Sequence, residues 1–68
     1  MPNMGAGIQS KGLTILEDQM HQEFLAFKKA KSYASAFENP KLKGLASSLA
    51  QQHMERYNRL FDYLNGHQ

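Results

Sequence analysis

The stretch Glu38-Asn39-Pro40-Lys41-Leu42-Lys43 decides how this chain folds. Proline disfavours helical geometry in the residue before it and fits the first position of a helix, and the asparagine just upstream can cap that helix with its side-chain oxygen. Asn39-Pro40 therefore predicts one helix stopping and another starting at almost the same place. Outward from it, apolar residues step by three or four. Toward the N-terminus they are Ala34, Ala30, Phe27, Phe24, Met20, Leu16 and Leu13. Toward the C-terminus Leu42, Leu45, Ala46, Leu49, Tyr57, Leu60 and Leu64 keep the same step, with His53 in line. Both runs have the α-helical period, and no alternating strand pattern competes. Asn65-Gly66 supplies a helix stop.

The chain is thus expected to be all-α, an antiparallel hairpin with helix 1 over about 13–38, a turn at 39–40 and helix 2 over about 40–65. Start signals for helix 1 compete. Ser10 is one candidate N-cap; Thr14 with Glu17 makes a capping-box pattern; Gly12 weakens a helix running through it by about 1 kcal/mol. Residues 1–12 carry Pro2, Gly5, Gly7 and Gly12 with few large apolar groups, and read as a flexible N-terminal arm. Facing residues in such a hairpin have numbers summing to roughly 78 or 79. Phe24 then lies across from Met54 and Glu55, and Phe27 from Ala50 to Gln52.

A chain of 68 residues has room for one small domain and buries a modest fraction of its surface alone. Eight Lys and Arg against six Asp and Glu leave a net charge of +2, which gives nucleic-acid binding no support. A helix-turn-helix reader is disfavoured too, for want of a short recognition helix and a third supporting one. The absence of cysteine removes disulfides, thiolate metal sites and cysteine nucleophiles. With no membrane-length apolar run and no signal-like N-terminus, the expected setting is cytoplasmic, without a membrane partner. No nucleophile or carboxylate pair suggests catalysis, so the chain is read as a non-enzyme.

Each helix carries an apolar arc too wide for one neighbour: Leu25 lies beside Phe24 and Phe27, and Phe61 beside Leu60 and Leu64. A second hairpin is expected to cover the rest, giving a four-helix bundle by homodimerisation. The core and dimer residues expected are Leu16, Met20, Phe24, Phe27, Leu49, Tyr57, Leu60, Phe61 and Leu64. Three polar residues interrupt the stripes. Glu23 sits among Met20, Phe24 and Phe27, His53 falls between Leu49 and Tyr57, and Arg56 follows one turn on. The facing rule sets Glu23 opposite Arg56, with His53 within about one turn, which makes a structural Glu23–Arg56 ion pair the leading expectation. Glu and His projecting inward from facing helices is also how bundles build carboxylate metal sites, so a site shared between two chains by Glu23 and His53 is the alternative. Glu17, Asp18 and His21 have helical ligand spacing but read as ordinary surface neighbours.

From about Leu13 to Leu64 these residues resemble a half-bundle of the ferritin-like and rubrerythrin-like superfamily. The likeness is carried by an inward Glu23, the turn Asn39-Pro40-Lys41-Leu42-Lys43 and the run Leu49-Ala50-Gln51-Gln52-His53-Met54-Glu55-Arg56-Tyr57. It is most similar to small spore coat proteins of the coat-protein-F type from spore-forming Firmicutes. The resemblance implies a ferritin-like bundle, a spore coat or spore-associated location, a structural role in sporulation, and other coat proteins as partners. It also implies where a metal would sit. The family's first-helix ligand falls on Glu23, and its Glu-x-x-His pair falls on positions read here as His53 and Arg56. Arginine does not ligate metals at neutral pH and its fixed charge disfavours a cation beside it. No cofactor is therefore expected, with iron or zinc as the alternative.

Charge is unevenly spread. Lys28, Lys29, Lys31, Lys41 and Lys43 gather toward the turn, and Glu17, Asp18 and Asp62 toward the open end. Lys41 and Lys43 stand where a helix dipole opposes them. Either solvent surrounds that end or it meets an acidic surface.

Overall fold

The computed structural model describes residues 10–66. Two helices of 27 residues each, α1 (Ser10–Ala36) and α2 (Pro40–Gly66), pack against each other as an antiparallel hairpin. At about 1.5 Å per residue each is about 40 Å long. No strand occurs among the described residues.

Local chemistry accounts for the turn. The Phe37 N–H donates to the Tyr33 carbonyl at 2.9 Å, completing the last turn of α1. Asn39 Oδ1 then accepts from the backbone N–H of Lys41 at 2.9 Å and of Leu42 at 3.1 Å, capping α2 as its place before proline predicts. Lys43 reaches back across the turn, its Nζ donating to the Ala34 carbonyl at 2.7 Å. That carbonyl belongs to the last turn of α1, where helix carbonyls lack intrahelical partners and the dipole is negative. A lysine unfavourable for its own helix thus caps the neighbouring one.

Both bounds of α1 differ from the sequence reading. Its end falls at Ala36, so Phe37, Glu38 and Asn39 make the connection. Its start is earlier, with Ser10, Lys11 and Gly12 helical, and they belong to the hairpin and not to an arm. The rest of the expected arm, residues 1–9, lies outside the described residues. Thr14 does not cap: its Oγ1 donates to the Ser10 carbonyl at 3.1 Å, four residues back, inside the helix. The capping box with Glu17 is therefore corrected. The physical reason is the length of α2, whose last turns, with Leu60 half-buried and Leu64 buried, give Leu13 and Leu16 something to pack on.

The seam between the helices is unlike at its two ends. Near the turn it is made of Ala30, Ala46 and Ala50, all buried; toward the open end Leu16, Met20, Tyr57 and Leu60 fill it half-buried, and Leu64 closes it. No large side chain is fully buried anywhere among the described residues. Here the inward stripe expected for helix 2 is corrected. Leu42, Leu45 and Leu49 are exposed at 45%, 63% and 50%, while Ala46 and Ala50 take the seam at 5% each. A three-residue connection holds the helix ends close, and only small side chains fit between backbones at that separation. The leucines rotate outward. Phe24, expected in the stripe, and Phe61, expected beside it where a second hairpin would cover it, are both exposed, and Phe24 meets Tyr57 with ring centroids 5.8 Å apart and Phe27 at 6.1 Å.

Candidate functional site

Glu23 is the central residue of α1 and His53 the central residue of α2, so the hairpin brings them level halfway along the seam. The two side chains meet: His53 Nδ1 lies 2.7 Å from Glu23 Oε1. An ionised carboxylate can only accept, so the shared proton sits on Nδ1 and imidazole donates. Gln19, one turn earlier on α1, donates from Nε2 to the other carboxylate oxygen at 3.0 Å. Glu23 is the single buried charged residue among those described, and no buried side-chain polar atom there lacks a partner.

The carboxyl of Glu23 is held below its ordinary value of 4.5, chiefly by the hydrogen bond from His53. Burial opposes this, since it penalises the charged form, while the Gln19 hydrogen bond and the positive charges of His53 and Arg56 reinforce it. Glu23 is therefore an ionised group at neutral pH, satisfied at both oxygens.

This geometry corrects the expected Glu23–Arg56 ion pair. Arg56 is exposed, and no ion pair joins it to Glu23; its charge is felt only from a distance. The reason is helical phase. Three residues past His53, Arg56 is turned about 60° away from it around the axis, and it projects beside the seam while His53 projects into it. The facing rule set the level about three residues too far along α2, since His53 and not Arg56 comes level with Glu23, and it carried no information on azimuth. Gln19 was missed altogether, although a residue four before an inward Glu is its natural neighbour on a helix.

Neither the central pair nor the other spaced acids form a metal site within one chain. Glu23 Oε1 and His53 Nδ1 are engaged with each other, only two potential ligands converge, and among the described residues no group of three or more His, Asp or Glu is placed to hold an ion. Glu17 and His21 instead border a shallow groove of about 380 Å³ near the open end, floored by Met20, Tyr57 and Leu64. A second groove of about 440 Å³ continues along the same side toward the turn, between Phe27, Lys31 and Ala34 on α1 and Lys43, Ser47 and Ala50 on α2. Lys28 and Lys31 lie over the Phe24 and Phe27 rings at 5.7 and 5.5 Å, which shields this side with charge.

The opposite side carries six of the large exposed apolar side chains. On α1, Ile15, Ala26 and Tyr33 share one azimuth with Gln22; on α2, Leu42, Leu45, Leu49 and Tyr63 share one with Gln52 and Arg56. Ile15, Tyr33, Leu42, Leu45, Leu49 and Tyr63 are all at least 45% exposed. Steps of seven and four along the α1 row, and of three, four and seven along the α2 row, are those of helices that pack on further helices. Among the described residues no helix is long and apolar enough to cross a membrane.

Comparisons with protein-family models, with curated proteins and with solved structures return no match to this chain.

Proposed function

We propose that this chain is a non-catalytic structural module whose hairpin self-associates into a four-helix bundle of ferritin-like form. One observation carries the reading: six large apolar side chains line one face of the hairpin and stay exposed, while the seam buries mainly alanine. Large exposed apolar side chains gathered on one side in this way mark association surfaces. At about 25 cal/mol per Å², an alanine seam contributes little against the entropy of ordering more than fifty residues, and a second hairpin supplies the missing burial. The location, a spore coat or spore-associated layer shared with other coat proteins and assembled from the cytoplasm, rests on the resemblance of residues 13–64 alone.

Sedimentation over a micromolar concentration series tests this. The expected species has twice the chain mass of 7.7 kDa, with helicity falling as it dissociates. A fully helical, stable monomer at micromolar concentration overturns the proposal.

The second reading is a metal site shared by two chains, favoured by the 2.7 Å Glu23–His53 contact at the level where two hairpins would meet. Metal analysis of protein purified without chelator separates the two. The structural reading expects no stoichiometric iron or zinc. Tight metal binding that is lost in His53→Ala selects the shared site.

A further inference from the structure

Self-association alone leaves two ways to lay one hairpin on another, and the charge distribution chooses between them. A two-fold axis along the helices puts both turns at the same end and sets α1 against α2 of the second copy. A two-fold axis across the helices puts each turn over the other copy's open end and sets α1 against α1 and α2 against α2. Both overlap fully, because Glu23 and His53 mark the centres of two helices of equal length. The face is about 40 Å long and, for two helices of about 10 Å diameter, about 20 Å wide. That is on the order of 800 Å² per copy, the size of a standard specific interface.

Between Phe24 and Gln52, the half nearer the turn, stand Lys28, Lys29, Lys31, Lys41 and Lys43 against Glu38 alone. In the open half, Glu17, Asp18, Glu23, Glu55 and Asp62 outnumber Lys11, Arg56 and Arg59. Turn against turn would gather five lysines from each copy at one end. Turn over open end sets the basic half of each copy on the acidic half of the other. It also brings Asp18, on the edge of the apolar face, level with Lys29 of the second copy. Apolar complementarity follows the same rotation, since Tyr63 comes level with Leu42 to Leu45 of the other α2.

Resting on the self-association proposed above, we infer that the occupant of the Ile15–Tyr33–Leu45–Tyr63 face is a second copy of this chain, docked with its turn over the open end of the first. Like-charge repulsion disfavours the other orientation, and charge complementarity of this kind sets register more than affinity.

A cysteine-free chain allows a clean test by disulfide cross-linking between separately made single-cysteine variants. Mixing Leu45→Cys with Tyr63→Cys is expected to give a cross-linked heterodimer, because these positions are adjacent only when the turn covers the open end. Mixing Leu45→Cys with Tyr33→Cys is expected to give none, because those positions meet only turn against turn. The reverse pattern, with sedimentation still showing a dimer, overturns the orientation and leaves self-association standing. A chain monomeric throughout overturns both. Lys29→Glu keeps the question open to measurement should the cysteine variants fold poorly. It is expected to weaken the dimer about tenfold through two symmetric contacts, with Asp18→Lys in the same chain restoring it. Unchanged or tighter association in Lys29→Glu, as relief of lysine repulsion would produce, overturns the inference.

Discussion

The half of the hairpin next to the turn and the half at the open end solve one packing problem in opposite ways. Near the turn, the short connection holds the helices close, the seam is alanine, and Tyr33, Leu42, Leu45 and Leu49 are turned outward. At the open end larger side chains, Leu16, Met20, Tyr57, Leu60 and Leu64, fill the seam half-buried or buried. The lesson is a division of labour. Burial within the chain concentrates at the open end, apolar surface offered to others concentrates at the turn, and the Glu23–His53 pair stands at the boundary.

The sharpest way to break this contrast is to shorten one side chain in each half. Leu64→Ala removes the one large buried side chain of the open end and should cost about 2 to 5 kcal/mol in thermal or urea unfolding, with parent and variant compared at the same protein concentration. Leu45→Ala, drawn from the outward row, should weaken association in sedimentation and cost less than Leu64→Ala in unfolding compared at one protein concentration. Equal effects from the two on unfolding would erase the distinction.

Acid probes the boundary. Because the Glu23 carboxyl is lowered below 4.5 in the folded chain, its contribution to stability is fully present above about that pH and is lost as pH falls through the lower folded value. Unfolding followed from pH 7 downward should therefore show stability declining below about 4.5, and Glu23→Gln should flatten that decline. Parallel curves for parent and variant would mean the pair contributes nothing through its charge.

The smallest effect belongs to the turn half. Gly44 lies inside α2 with nothing within 4 Å of where a Cβ would be placed. Gly44→Ala should raise stability by about 0.5 to 1 kcal/mol, since alanine forfeits less backbone entropy in a helix. A destabilised variant would show that the turn half is packed more tightly than its exposure indicates.

Sequence by itself determined the two helices, their antiparallel pairing and the cap at the turn, because these follow from short-range rules: the helical period, the geometry proline imposes, and an Asn side chain two and three residues from free N–H groups. Glu23 and His53 were legible as inward polar residues for the same reason, since period is a property of sequence spacing. Which edge of a wide apolar arc turns inward was not legible. Leu45 and Ala46 are neighbours about 100° apart around the axis, and both lie on an apolar arc. Only the closeness of two backbones, set by a three-residue turn, selects the alanine. The same rotation decided that His53 and not Arg56 meets Glu23, that Gln19 holds the second oxygen, and that Lys43 caps the other helix. Each depends on azimuth across a contact between distant parts of the chain, and azimuth is settled by packing once the helices touch.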